Sequence, residues 1–276
     1  MKGAMRTTAL LLSLCVLAVG CSTSTPEPAA SSATPGVTPG MPGTPSASRA
    51  TDTFPTSKGE LKVTPIYHAS TMLEIGGKVL HVDPFSKGDY TGLPRADFVL
   101  ITDIHPDHLD AKALDAVVQP ATKIVAPPAV AEQLKGRSNV IVMKNGDKQD
   151  LGVFTVEAVP MYNLERGPEK GKLFHDKGRG NGYVLGFGDK RVYFSGDTEC
   201  TPEMKALPAV DVAFVCMNLP YTMPPKEAAA CVNAFKPKVL FPYHYAVPGG
   251  ASSNLDELKA ALDPAAGVEL RLRKWY

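Results

Sequence analysis

Thr102-Asp103-Ile104-His105-Pro106-Asp107-His108 sets two carboxylates and two imidazoles within six positions, directly after the apolar run Phe98 to Ile101. Borderline divalent metals take imidazole and carboxylate ligands, and a loop at the end of a rigid strand can aim such groups at one point. Pro106 fixes its own φ and restricts His105, which helps hold the loop's shape. A polar, capped turn is the bland explanation, and the density of ligand-type side chains argues against it. The chemistry implied is hydrolysis at two close metals, which lower the pKa of a bridging water and polarise a carbonyl or phosphoryl oxygen. Further donors lie downstream: all six histidines, His68, His81, His105, His108, His175 and His244, fall between residues 60 and 246, and Asp197 follows a β-rich run. No Ser/His/Asp arrangement, P-loop or dinucleotide glycine motif competes, and Gly178, Gly180 and Gly182 make no phosphate loop by themselves.

The elements that must position these groups are legible as short runs. Leu61 to Tyr67, Thr71 to Ile75 and Lys78 to Val82 read as strands, with Gly76-Gly77 as a two-residue hairpin turn. Asp97 to Thr102 is a strand opening into the ligand-rich loop, and Asp110 caps a helix from Ala111 to about Val118. Strands follow at Lys123 to Ala126, Asn139 to Met143 and Val153 to Val159, with a helix near Ala129 to Lys135. In the second half, Asn181 to Phe187 and Arg191 to Ser195 form a hairpin around Gly188-Asp189. Asp211 to Met217 is a buried strand, Pro225 to Phe235 a helix, Lys238 to Pro242 a strand, Leu255 to Leu262 a helix and Val268 to Leu272 a strand. Both halves share the order hairpin, acidic strand end, helix, so an α/β sandwich of two sheets covered by helices is expected.

Composition frames this core. A net charge of +1 and 44% hydrophobic residues fit a globular protein and leave no electrostatic footprint for nucleic acid. Residues 1–21 read as an export signal, with Lys2 and Arg6 before an apolar stretch too short to span a bilayer. Leu17-Ala18-Val19-Gly20-Cys21 resembles a bacterial lipoprotein box, with the leucine one position early, which implies lipidation at Cys21 and a membrane anchor facing the periplasm or the outside. Residues 22–57, rich in Ser, Thr, Pro, Ala and Gly, are expected to be a flexible tether, and residues 58–276 the folded domain. Cys200, Cys216 and Cys231 are no disulfide framework. One bridge is compatible with an oxidising periplasm, Cys216 is expected as a buried thiol, and Cys200 is not expected to be a ligand.

Thr102 to His108 resembles the T-H-x-H-x-D-H signature of the metallo-β-lactamase superfamily. Ser195-Gly196-Asp197-Thr198 and Pro242-Tyr243-His244-Tyr245 resemble its later ligand motifs. His68-Ala69-Ser70, Val82-Asp83-Pro84-Phe85 and Met217 to Met223 look most like the branch containing the ascorbate phosphate lactonases. The resemblance implies an αββα fold with a dinuclear site. Carried over residue by residue, Asp107, His108 and His244 form one metal site and Asp197 bridges. The other holds His105 and Asp103, the latter standing where the signature has histidine. Its third ligand is expected to be His175, with Asn163 as the fallback through its carbonyl oxygen.

The resemblance further implies that Asp107 or Asp197 shuttles the proton. The extra carboxylate of Asp103 leans the site towards manganese or iron, with zinc the default. Lys177 and Arg179 are expected to meet an anionic substrate, and Asn218, Tyr221 and Thr222 to face it. His68 either lines the pocket or is structural, as His81 is; Asp83 either holds a turn or orients a ligand histidine. The expected function is a metal-dependent hydrolase that uses a metal-bridging hydroxide on a small ester, lactone or phosphodiester, rather than a β-lactamase or nuclease. The alternative is a metal- or ligand-binding lipoprotein without turnover.

Overall fold

A computed structural model describes residues 49–276, so the expected signal, the lipidation at Cys21 and most of the expected tether lie outside the described residues. Within them the domain begins earlier than residue 58. Asp52–Thr56 forms a strand, β1, paired antiparallel with β2 (Gly59–Tyr67). The polar, Pro-containing segment is held from a distance. Arg273 donates to both carboxylate oxygens of Asp52, at 2.6 and 2.8 Å, and Arg271 to one of them at 3.1 Å. Pro55 is tolerated because β1 is an edge strand.

The chain then builds one sheet in sequence order. β3 (Ser70–Ile75) and β4 (Lys78–Val82) complete an antiparallel meander around Gly76-Gly77, whose φ angles of 56° and 73° are those of the mirror-image hairpin turn. β5 (Phe98–Leu100), β6 (Lys123–Ala126) and β7 (Val140–Val142) then add in parallel, linked through α1 (Ala111–Val117) and α2 (Pro128–Gln133). The Asp110 carboxylate caps α1 by accepting from the N–H groups of Lys112 and Ala113.

The second sheet repeats this plan. β8 (Lys148–Asp150), β9 (Thr155–Met161), β10 (Gly180–Phe187) and β11 (Lys190–Phe194) form a meander. β12 (Val212–Cys216), β13 (Val239–Tyr243) and β14 (Glu269–Leu270) follow in parallel, with α3 (Pro202–Lys205), α4 (Pro225–Phe235) and α5 (Leu255–Ala261) between them. The expected shared order of the two halves is thus their topology.

Side chains alternate across the sheets as the strand period requires. Val99, Ile101, Ile124 and Ala126 pack under Leu114, Val117 and Val130 of α1 and α2. Phe98, Leu100 and Val125 point the other way, into the larger core shared with Phe154, Val184 and Phe187 of the second sheet. Removing the Leu100 side chain from that core would cost about 2–5 kcal/mol. Parallel strands need crossovers, so their carboxyl ends open into loops; Asp103 to His108 follow β5, Asp197 follows β11 and His244 follows β13 on such loops, whereas His68 and His175 lie on connections between antiparallel strands. Among the described residues, no helix is long and apolar enough to cross a membrane. Cys200 and Cys231 are bridged, and Cys216 is a buried free thiol.

Candidate metal centre

His108 follows β5, and its Nδ1 donates to Asp83 Oδ2 at 2.8 Å. Asp83, at the end of β4, also accepts the Thr102 N–H at 2.8 Å and the Thr102 hydroxyl at 2.6 Å. In the neutral imidazole that a metal ion would bind, this hydrogen bond puts the proton on Nδ1 and the lone pair on Nε2, which lies 3.4 Å from Asp197 Oδ2. Of the two places expected for Asp83, the structure gives it the second: it orients a ligand-type histidine.

His175 is arranged the same way by a different group. Its Nδ1 donates to Asn163 Oδ1, and its Nε2 lies 3.3 Å from Asp197 Oδ2. The Asn163 amide has only one permissible orientation. Its Nδ2 donates to Glu199 Oε1 at 3.1 Å and to the Tyr221 carbonyl at 2.8 Å, both of which only accept. Asn163 therefore stands behind His175. Glu199 in turn accepts the N–H groups of Leu164, Glu165 and Arg166 and pairs with the Arg166 guanidinium at 3.1 Å. Burial opposes ionisation of Glu199, but Asn163 and these N–H groups outweigh it and hold the carboxyl below its ordinary value.

His244, after β13, completes the opposite side. Its Nε2 lies 3.4 Å from Asp197 Oδ1 and 3.3 Å from Asp107 Oδ2. Asp107 Oδ2 also accepts from His68 Nε2 at 2.9 Å, and His68 Nδ1 meets the Tyr276 hydroxyl at 2.7 Å. His68 therefore lines the site and packs at a tilt of 40° against His244, with ring centroids 3.6 Å apart. His68, Asp83 and His244 all have positive φ, at 59°, 43° and 47°. Non-glycine residues in that region are strained, and such strain collects at functional sites.

Asp103 is fully buried and lies 3.1 Å from His105 Nδ1. Here one expectation needs correction. Arg179 clamps Asp103 with two hydrogen bonds of 3.0 and 2.8 Å, and Lys177 pairs with Glu203 at 2.6 Å beside Tyr162, so neither lines the pocket and neither is free for an anionic substrate. The reason is electrostatic: a buried carboxylate without a partner is costly, and Arg179 supplies it. Close approach also explains two glycines. A side chain at Gly180 would strike Met161 and Thr102 O, and one at Gly196, where φ is 59°, would strike Met161 and Thr102.

The donor set fits metal ions. His108 Nε2, His175 Nε2, His244 Nε2 and Asp197 Oδ1 are buried without a hydrogen-bond partner among the described residues. Protein polar atoms are rarely left so, and here they face one another. Two ligands on one ion at about 2.1 Å, subtending about 90–110°, lie about 3.0–3.4 Å apart. The spacings of Asp197 to His108, His175 and His244, of Asp107 to His244 and of Asp103 to His105 run from 3.1 to 3.4 Å, longer than charge-assisted hydrogen bonds, whereas His68 meets Asp107 at a hydrogen-bonding 2.9 Å. Three groups could each hold an ion: Asp103, His105 and His175; His108, Asp197 and His244; and His68, Asp107 and His244. Asp197 spans the first two, turning Oδ2 to His175 and Oδ1 to His244.

The same groups shift one another's protons. Burial disfavours a charged His108, yet Asp197, Asp83 and Asp107 outweigh it and push the imidazole well above its ordinary value. Burial likewise opposes ionisation of Asp197 and Asp107, and the neighbouring histidines hold both carboxyls far below the usual range. The protein's own groups thus create a buried site that calls for positive charge.

A pocket of about 310 Å³ opens above these atoms, floored by His68, His105, Asp107, His175 and Asp197 and walled in part by Asn218 and Tyr221. Thr222 is buried beneath Asn218, donating from its hydroxyl to Asn218 Oδ1 at 2.7 Å, which leaves Asn218 Nδ2 as a donor. Sequence reasoning missed Glu199, Phe174, Val247 and Pro248. Only Glu199 carried a signal, as a second acid two residues past Asp197.

Residues 62–244 match the family model of the beta-lactamase superfamily domain. A UPF0173 metal-dependent hydrolase of Anaeromyxobacter sp. (strain K) is 30% identical over 238 residues, covering 78% of this chain and 85% of that protein. One of Pyrococcus abyssi (strain GE5 / Orsay) is 30% identical over 222 residues, covering 75% and 95%. The crystal structure of a proposed metal-dependent hydrolase from Parabacteroides distasonis ATCC 8503 superposes with a TM-score of 0.75 at 42% identity, covering 83% of this chain and all of that one. These matches run through the strand ends that supply the facing donors, and the chain belongs to the metallo-β-lactamase superfamily and, within it, to the UPF0173 family of metal-dependent hydrolases.

Proposed function

We propose that the chain hydrolyses a small ester, lactone or phosphodiester with two divalent ions, one held by Asp103, His105 and His175, the other by Asp107, His108 and His244, with Asp197 shared. The observation that carries this is the set of unpartnered buried atoms on both sides of Asp197. Bound there, such ions would supply Lewis acidity and a water acidic enough to act as a nucleophile near neutral pH.

The protein's own residues divide the remaining work. Asp83 and Asn163 keep the lone pairs of His108 and His175 turned to the site. Asp107 faces the pocket as a carboxylate whose Oδ2 accepts from His68, so it is placed to take a proton from water and return it to the leaving group. Asn218 Nδ2 can donate to a substrate oxygen. Asp103 is balanced by Arg179, so its extra charge no longer pulls strongly towards hard ions; zinc is the ion we favour, ahead of manganese or iron.

The test is turnover of ester, lactone and phosphodiester panels by metal-loaded protein, with metal content measured beside it. His105→Ala and Asp197→Ala should each abolish turnover and lower metal uptake while leaving the fold intact. Normal turnover in either variant refutes the site.

A further inference from the structure

Apart from Asn218, the pocket wall is lined by apolar and aromatic side chains. Phe174 and Tyr221 meet edge to face with centroids 5.1 Å apart, and Val247 and Pro248 continue the surface. Tyr221 is 38% exposed, so its ring is presented rather than consumed by the core. Among the described residues, no Lys or Arg lines this pocket.

Three cations around the site are committed to carboxylates. Arg179 is bound to Asp103, Lys177 to Glu203, and Arg166 to both Glu199 and Glu227. A second charge on a substrate, beyond the reacting group, would lose water against an apolar wall beside Asp107 and Asp197 with nothing to pair it. An apolar substituent would gain from the same wall.

Building on the hydrolase reading above, we infer that the substrate carries no charge beyond its reacting group, as in a neutral carboxylic ester or lactone, and that its non-reacting part is an apolar group seated against Phe174, Tyr221, Val247 and Pro248. Hydrolysis adds the oxygen of water to the acyl carbon, breaks the bond from that carbon to the alkoxy oxygen and delivers one proton to the alkoxide. A lactone thereby opens to a hydroxy acid, which releases a proton at neutral pH.

The experiment compares γ-nonalactone with analogues of equal length whose chain ends in a carboxylate or a phosphate, using the metal-loaded protein. A kcat/KM at least about tenfold higher for the neutral lactone is expected, the size of discrimination an apolar pocket gives. Tyr221→Ala should erase that preference, and Tyr221→Arg should reverse it. Saturation-transfer NMR of 2-pentylcyclopentanone, a ketone that hydrolysis cannot cleave, gives a readout free of turnover: its pentyl protons should contact the protein, and the signal should fall in Tyr221→Ala. Turnover of the charged analogues equal to or above the neutral one overturns the inference and leaves the hydrolase reading standing. A bound ketone with no turnover of any ester, lactone or phosphodiester overturns the hydrolase reading instead.

Discussion

Asn163 and His175 are joined twice: the Asn163 N–H donates to the His175 carbonyl at 2.9 Å, and His175 Nδ1 donates to Asn163 Oδ1. The backbone bond fixes the distance between their loops, and the side-chain bond fixes which imidazole nitrogen carries the lone pair. Partners of this kind behind a metal-ligating histidine change metal affinity or activity about 10–100-fold when removed. Asn163→Ala should therefore weaken the proposed ion at His175 by about that factor and leave the proposed ion at His108 and His244 in place. Chelator competition with metal counting reads this directly. Equal loss of both ions would instead mean that Asn163 holds the whole loop.

Glu199 sits one step further back, and its expected effect is smaller and of a different kind. Glu199→Gln keeps the size of the side chain but removes the charge that pairs with Arg166 and can offer Asn163 a donor in place of an acceptor. The asparagine amide then keeps only the Tyr221 carbonyl to fix its orientation. In nitrogen-15 spectra the His175 ring should change from one tautomer to a mixture, and metal affinity should fall by less than in Asn163→Ala. An unchanged tautomer would show that Asn163 needs no support from Glu199.

Much of this arrangement was legible as sequence, and its limits are physical. Phe98 to Leu100 and Val239 to Tyr243 announced themselves because buried parallel strands are continuously apolar, and Asp103 to His108 and His244 follow those strands. The sequence reading puts His175 ahead of Asn163 as the third ligand, but that Asn163 stands behind His175 is not legible there, because the two are neighbours only through the fold of the loop between β9 and β10, which no periodicity encodes. β1 was hidden for a similar reason: its partners Arg271 and Arg273 lie at the far end of the chain. Arg179 looked free because Asp103 looked exposed to metal chemistry alone, and the pairing of the two became visible only with depth of burial.

That pairing makes a prediction of its own. Arg179→Met leaves the Asp103 carboxylate fully buried and unpaired, a loss of about 3–5 kcal/mol for an uncompensated charge in the metal-free protein. A bound cation restores the balance, so the metal-loaded variant should regain most of the lost stability. The uncompensated carboxylate should also shift the ion preference towards manganese or iron. Denaturation with and without metal, and competition between zinc and manganese, check both halves. A loss of stability that metal does not recover would place the role of Arg179 in packing alone.

Away from the metal centre, His81 gives the fold a dependence on pH. It is fully buried in β4, with Nε2 donating to the Pro94 carbonyl at 3.1 Å and Nδ1 without a partner among the described residues. Burial pushes its pKa down to about 4, against only partial support from Pro94. The unfolded chain titrates near 6.5, so between these values it binds more protons than the native state, and stability rises with pH. The contribution is present above about 6.5 and is lost as pH falls towards 4. His81→Gln, which keeps a donor for Pro94, should narrow the stability difference between pH 5.0 and 7.5 by about 2 kcal/mol. An unchanged difference would move the acid sensitivity to the carboxylate cluster.

The bridge between Cys200 and Cys231 ties the loop after Asp197 to α4 across a separation of 31 residues. Closing a loop of that length stabilises a fold by about 3–4 kcal/mol through the unfolded chain, and such bridges persist in oxidising compartments. It therefore supports the proposal that the domain works outside the cytoplasm, tethered through Cys21. Two measurements test this. The double variant Cys200→Ser with Cys231→Ser should unfold at lower denaturant by about that free energy, and dithiothreitol should lower the stability of the native protein to the same level. Separately, expression in a Gram-negative host should place the native chain in the membrane fraction with an acyl group on Cys21, whereas Cys21→Ser should free it. A native chain that stays in the cytoplasm with both thiols reduced would overturn the tether and the compartment together, while leaving the metal centre untouched.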